Sequence, residues 1–172
     1  MIEIRIHGRG GQGAVTCAQI LAIAAFYDNK YSQAFPIFGI ERSGSPVAAF
    51  VRIDNKKINL RSQIYNPDYV IVLDSSLMNV VNVKEGLKKD LIINTSKKIE
   101  KAHCVDASKI AIDVLGNPFV NVIMAGVFAN ITKIVSINSI LKAIEEKFKD
   151  KSELIELNKK SVKKVCEIKG VC

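Results

Sequence analysis

Two histidines in 172 residues, and cysteines that never fall into a C-x-x-C pair, leave this chain little of the material from which active sites are usually built. His7 and His103 have no metal-ligand spacing, and no G-x-S-x-G stretch or Ser/His/Asp set is present. Cys17, Cys104, Cys166 and Cys172 spell neither a zinc ribbon nor an iron–sulfur ligand set. Any redox metal is therefore expected in another chain, and thiols without a disulfide pattern fit a reducing cytoplasm. No apolar run approaches the roughly 20 residues of a membrane span, and Met1 leads straight into strand-like sequence, so neither a membrane segment nor a signal peptide is expected. Aromatic residues are only 6% of the chain and are not interleaved with its lysines. The net charge of +8 thus does not read as a nucleic-acid surface. The lysines of 84–101 and 142–169, the latter mixed with Glu145, Glu146, Glu153, Glu156 and Glu167, read as solvated helical faces. Their surplus charge fits an acidic ligand or an acidic subunit.

What is present begins at residue 2. The apolar run Ile2-Glu3-Ile4-Arg5-Ile6 is followed by His-Gly-Arg-Gly-Gly-Gln-Gly-Ala-Val at 7–15, which is a strand, a glycine turn and a helix start. Gly8, Gly10 and Gly13 fit G-x-G-x-x-G, with Gly11 as an extra glycine, Arg9 as a charged donor and Gln12 as a polar one. Without Cβ atoms such a turn brings amides and the positive end of a helix against an anion. A turn that merely packs helix on strand has the same wording. Half of the dinucleotide fingerprint is missing: the second strand, Tyr31 to Phe35, ends in Pro36-Ile37-Phe38-Gly39 with no carboxylate, and Asp28 belongs to the turn before it. Ordinary NAD chemistry is not expected.

With 48% hydrophobic and 24% charged residues, 1–172 reads as a single globular domain. Gly13 to Tyr27 predicts a helix with almost no polar face. Val47 to Ile53 and Lys57 to Leu60 read as a hairpin turning at Asp54-Asn55-Lys56. Tyr69 to Leu73 reads as a central parallel strand entering a helix cap at Asp74-Ser75. Leu91 to Asn94 and Ala102 to Val105 are further strands, and Ser108 to Leu115 a helix. Asn117-Pro118 reads as the cap and first position of a second unusually apolar helix, Phe119 to Val135, whose Gly126 suggests close approach of another backbone. Ser136–Phe148 and Ser152–Ile168 are amphipathic. The fold class is α/β: a Rossmann-like domain, its sheet mostly parallel with an inserted antiparallel hairpin, and helices on both faces. Two helices lacking a solvent face point to a subunit covered by neighbours.

Ligands in such sheets collect at the carboxyl ends of the strands, which here gather the Gly8–Gly13 turn, the loop Glu41-Arg42-Ser43-Gly44-Ser45-Pro46 and Asp74-Ser75-Ser76. An arginine flanked by hydroxyls and glycine makes an anion clamp; it equally makes a loop that docks a neighbour. His7 either faces a ligand or bonds locally, Cys17 is a small core residue, and capping or ion pairing accounts for Asp74.

Three stretches in register carry a family resemblance. His-Gly-Arg-Gly-Gly-Gln-Gly-Ala-Val-Thr at 7–16, Ser-Gln-Ala-Phe-Pro-Ile-Phe-Gly-Ile-Glu-Arg-Ser-Gly-Ser-Pro-Val at 32–47 and Arg-Ser-Gln-Ile-Tyr-Asn-Pro-Asp-Tyr-Val-Ile-Val-Leu-Asp at 61–74 resemble the γ subunit of 2-oxoacid:ferredoxin oxidoreductases. The wording is most like the pyruvate branch, with the 2-oxoisovalerate branch also similar. Ser43 departs from relatives that carry a second arginine there. The resemblance implies a non-catalytic γ subunit beside α, β and ferredoxin-like δ chains, serving an enzyme that converts pyruvate and coenzyme A to acetyl-CoA and CO2 while reducing ferredoxin. It implies thiamine diphosphate with magnesium in α and β, and iron–sulfur clusters in β and δ. Within such an assembly the two loops are expected to help close the active region and share coenzyme A, through Gly8, Arg9, Gly10, Gly11, Gln12, Gly13, Glu41, Arg42, Ser43 and Gly44. From the residues alone, a free nucleotide-binding regulatory protein is the reading of another class.

Overall fold

Along β1 (Ile2–Arg9) the side chains alternate: Ile4 and Ile6 are fully buried on one side of the sheet, while Arg5 and His7 take the other. The computed structural model describes residues 1–37 and 44–167. After β1 the chain continues through α1 (Ala14–Tyr27), β2 (Tyr31–Pro36), β3 (Pro46–Asp54), β4 (Tyr69–Val72) and a 3-10 helix at Ser75–Asn79. It then forms β5 (Asp90–Asn94), β6 (Ala102–Val105), α2 (Ala107–Leu115), α3 (Asn121–Thr132), α4 (Ile137–Lys147) and α5 (Ser152–Glu167). The six strands lie in the order β2-β3-β1-β4-β5-β6. Only β3 runs against the rest, antiparallel to β2 and β1, and the remaining pairs are parallel. The α/β class and the mostly parallel sheet are as expected.

The hairpin is built differently from the one expected. β3 pairs with β2, from Tyr31↔Asp54 to Pro36↔Ala49, and 57–60 is not a strand. With β2 on one side and β1 on the other, both hydrogen-bonding edges of β3 are taken, so the chain leaving Asp54 has no edge to join. The wedge also separates β1 from β2, which a dinucleotide site would hold as neighbours. The end of β2 is displaced by about 5 Å more than in that arrangement.

All five α-helices pack on the face of Ile4 and Ile6, in one cluster with Ala49, Val51, Ile53, Ile71 and Ile92. The opposite face carries the 3-10 helix, through Leu77 and Met78, and otherwise irregular chain such as Val83 and Leu87. Helices thus lie on both faces, very unequally.

The two apolar helices find their cover within the chain, which corrects the expectation that neighbours supply it. α1 is sandwiched between the β2–β3 side of the sheet and α3 and α4. In α3 the eight residues Val122–Ala129 are all buried, against α1, α4 and α5. The amphipathic helices α4 and α5 form an outer layer whose apolar stripes turn inward. Gly126 is where α5 comes close, as expected: a Cβ there would sit 3.0 Å from a methyl of Val162. Nor do Asn117 and Pro118 open α3. Asn117 Oδ1 accepts from the Phe119 amide, 3.1 Å, in a local Asx turn, which delays the helix to Asn121.

Candidate functional site

β1 delivers the chain to α1 on the helical face, whereas its parallel neighbour β4 delivers it to the 3-10 helix on the other face. Departures to opposite sides leave a crevice outside the carboxyl ends of the two strands. The glycine turn lies there, and its residues are knitted together. The Gly10 amide donates to Ser45 O, 2.8 Å, and the Gly44 amide donates to Gly10 O, 3.1 Å, extending the β1–β3 ladder past its last pair. The Gln12 amide donates to Arg9 O, while Gln12 Oε1 accepts from the Arg9 amide. Gly11 and Gly13 are left-handed, with φ of 92° and 81°, a conformation that glycine adopts without strain. A Cβ on Gly13 would run into Asn121 Nδ2, so glycine leaves room for the Asn121 side chain at the start of α3. Gly8 fits between Leu73 and Ala14, where a Cβ would be 3.2 and 3.4 Å from their side chains.

Arg9 already holds an anion, and it is the chain's own. Its Nε donates to Asp74 Oδ2 at 2.9 Å, one terminal nitrogen to Gly44 O at 3.1 Å, and the other to Ser76 Oγ at 2.7 Å. Gln12 Nε2 donates to the same Asp74 oxygen, and Asp74 Oδ1 accepts from the amide and hydroxyl of Ser76. Partial burial works against charge on Asp74, but the bonds from Ser76, Gln12 and Arg9 outweigh it and hold the carboxyl below its ordinary value. Asp74 therefore does both things expected of it, capping the 3-10 helix and pairing with a cation. The amides of Gly11 and Gly13 find no acceptor among the described residues, and α1 has no side-chain cap. Those amides, with the free first turn of α1, are the anion-binding capacity the turn keeps. Of the second loop, Gly44 is placed beside the turn with φ of 82°, while Glu41, Arg42 and Ser43 lie outside the described residues.

From the turn a cavity of about 480 Å3 runs along the ends of β4 and β5 to the start of α2. Gln12, Asp74, Asn94, Ser96, Lys97 and Ser108 are among the residues lining it. Asn94 is buried and fixed: its Nδ2 donates to Leu73 O and Ser108 Oγ, both 2.9 Å, and its Oδ1 accepts from the Ser108 amide. In the sequence Asn94 is marked only as a strand end. Laying the ends of β1, β4 and β5 side by side would have singled it out, because the carboxyl edge is where such sheets bind.

The histidines do not enter this chemistry. His7 Nε2 accepts from Arg5 Nε at 3.0 Å, and burial together with the Arg5 charge lowers its pKa to about 4, so it is neutral and structural. His103 faces Asp90 at 3.8 Å between neighbouring strands. Cys17 is buried, which pushes its thiol to about 12 and leaves it a core residue. Among the described residues no three of His, Cys, Asp and Glu come together to hold a metal ion, and no helix is long and apolar enough to cross a membrane. The crevice can bind and orient an anionic or polar group; among the described residues it holds no free acid–base pair for proton transfer.

A profile described as pyruvate ferredoxin/flavodoxin oxidoreductase matches residues 3–168. Pyruvate synthase subunit PorC of Methanocaldococcus jannaschii is 63% identical over 157 residues, 88% of either chain. The pyruvate/ketoisovalerate oxidoreductases common subunit gamma of Pyrococcus furiosus is 49% identical over 180 residues, 97% of this chain and 96% of that one. Among solved structures, pyruvate oxidoreductase subunit PORC of Thermotoga maritima superposes with a TM-score of 0.84 at 37% identity, over 96% of this chain and 95% of that one.

Proposed function

The chain belongs to the pyruvate ferredoxin/flavodoxin oxidoreductase family, as a gamma-type subunit of an oxidoreductase complex, and from that premise we propose how it serves the complex. It works in the cytoplasm as one domain, residues 1–172, without a catalytic centre of its own. Its partners are α, β and ferredoxin-like δ chains; thiamine diphosphate, magnesium and the iron–sulfur clusters reside in them. The assembly converts pyruvate, coenzyme A and oxidised ferredoxin to acetyl-CoA, CO2 and reduced ferredoxin, reversibly. The observation that carries this reading is the 63% identity to a pyruvate synthase subunit across nearly nine-tenths of both chains. A second reading, one γ subunit shared by pyruvate and branched-chain 2-oxoacid complexes, is favoured by the similarity to a subunit named as common to both.

Within the assembly, the turn Gly8, Arg9, Gly10, Gly11, Gln12 and Gly13 and the loop Glu41, Arg42, Ser43 and Gly44 close over the reacting centre and take part of the coenzyme A phosphates. The unpartnered amides of Gly11 and Gly13 suit a phosphate oxygen, and Arg42 adds a charged donor. Arg9 contributes by holding Asp74 and Ser76 rather than by reaching the ligand. The test is CoA kinetics of the assembled complex. Arg42→Ala, which removes one charge-assisted hydrogen bond, raises the KM for CoA about tenfold, and Gly10→Val, whose side chain crowds the turn, raises it too, both with the KM for pyruvate unchanged. Unaltered CoA kinetics in both variants would leave the two loops with docking alone.

A further inference from the structure

The sheet ends at β6, whose outer side pairs with no strand among the described residues. Beside that edge lies an open trough of about 990 Å3, formed by the chain from Thr95 through Cys104 with Asp106 and Lys109. Lys97, Lys98, Lys101 and Lys109 all line it and are exposed. None of the four pairs with a carboxylate among the described residues, whereas Lys89 nearby is matched by Asp68 and Lys164 by Asp113. Two of the carboxylates in the trough are already engaged, Asp106 as the cap of α2 and Asp90 opposite His103. With Glu100 the lining holds three carboxylates against five lysines, Lys89 included, so the edge keeps a net positive charge.

We propose that this edge docks an acidic, extended segment of a partner subunit in the oxidoreductase complex; the proposal rests on the γ-subunit reading. An unpaired strand edge supplies main-chain donors and acceptors that a polypeptide can match in register. Four unpaired lysines select a segment rich in Asp and Glu. A nucleic acid fits worse. The exposed aromatic side chains on which bases could stack, Phe26, Tyr27, Tyr31, Tyr65 and Phe119, are all outside the trough, and a nucleic acid could not use the main-chain donors and acceptors of the strand edge in register. The lysine run that resembles a merely solvated face in the sequence is, at this edge, a binding surface.

The experiment uses the whole complex, co-expressed with this chain tagged and washed with rising potassium chloride while the retained subunits are counted. In Lys97→Glu/Lys98→Glu/Lys101→Glu one partner is lost at lower salt than in the wild type, with roughly tenfold weaker retention at low ionic strength. The corresponding Lys→Arg triple variant retains it. Reversing three lysines elsewhere, Lys147, Lys149 and Lys151, leaves retention unchanged and separates the trough from net charge. The proposal falls if the trough variant holds every partner to the wild-type salt, if both triple reversals weaken retention equally, or if the trough variant loses only a fluorescent oligonucleotide bound by the wild-type complex. Failure of the unaltered chain to retain any oxidoreductase subunit would overturn the γ-subunit reading itself.

Discussion

The two faces of the sheet are buried by different means, although the same strands supply both. On the helical side β1 and β3 offer Ile4, Ile6, Ala49, Val51 and Ile53 to a double layer of helices. On the other, the alternate residues include Glu3, Arg5, His7 and Arg52, and what covers them is irregular chain. Irregular chain brings unpaired carbonyls to the sheet, and those groups need donors once they leave water. The arginines provide them. Arg5 donates to the carbonyls of Tyr65, Val83 and Glu85. Arg52, only 1% exposed, donates to Glu3 and to the carbonyls of Ser62 and Gln63, and its guanidinium lies 5.3 Å from the centre of the Phe35 ring. A helix satisfies its own backbone and so can be held by apolar packing alone; a loop has to be bonded down.

Three substitutions probe that contrast, from the largest effect to the smallest. Phe128 on α3 is fully buried with its ring edge-on to Tyr69 at 5.5 Å. Phe128→Ala should cost about 4 kcal/mol of unfolding free energy by denaturant titration, with no region opening selectively. On the loop face, Arg52→Leu strands Glu3 and two carbonyls and should cost about 3 kcal/mol. Its signature is local: amide exchange should accelerate around residues 60–67 before the helical core responds. A neutral Arg52→Leu would mean that the loop is held by apolar contacts such as Ile64, and the distinction between the faces would collapse. The third site is one point where the helical side also uses a polar clamp. Asp28, closing α1, accepts from the amide and hydroxyl of Ser136 and from Ser139 Oγ at the start of α4. Burial opposes its charge, but these bonds and Lys30 prevail and keep the carboxyl below its ordinary value. A lowered folded-state pKa gives stability that is complete above the unfolded value of about 4 and fades as pH falls through the folded one. Asp28→Asn should cost about 1 kcal/mol at pH 7, with the gap to the wild type closing as pH falls below the unfolded value of about 4 and through the lowered folded one.

The contrast also explains what could be read in advance. The helical face was legible because apolar spacing reports burial: α1, α2, α4 and α5 fall within a residue or two of expectation. Sequence revealed that α1 and α3 lack a solvent side but not whose atoms cover them, and α4 and α5 proved to be the cover. The loop face was illegible because Arg5 and Arg52, alternating with isoleucine and valine, read like the wet side of an amphipathic strand. Only the fold of the irregular chain, 62–65 and 83–85, makes them buried. At the site, the glycines stood out because their conformations cannot be had otherwise. That Arg9 is bound to Asp74, 65 positions away, depends on β1 and β4 being neighbours, which local patterns do not encode.

The bonds between Gly10 and the Gly44–Ser45 segment tie two stretches that lie more than thirty positions apart. Arg9 adds a third tether to Gly44 and is anchored in turn to the start of the 3-10 helix. The rim of the crevice is thus mechanically one piece: traction on any of its three segments is felt by the other two, so a neighbour gripping the chain at Gly44 sets the orientation of the glycine turn without touching it.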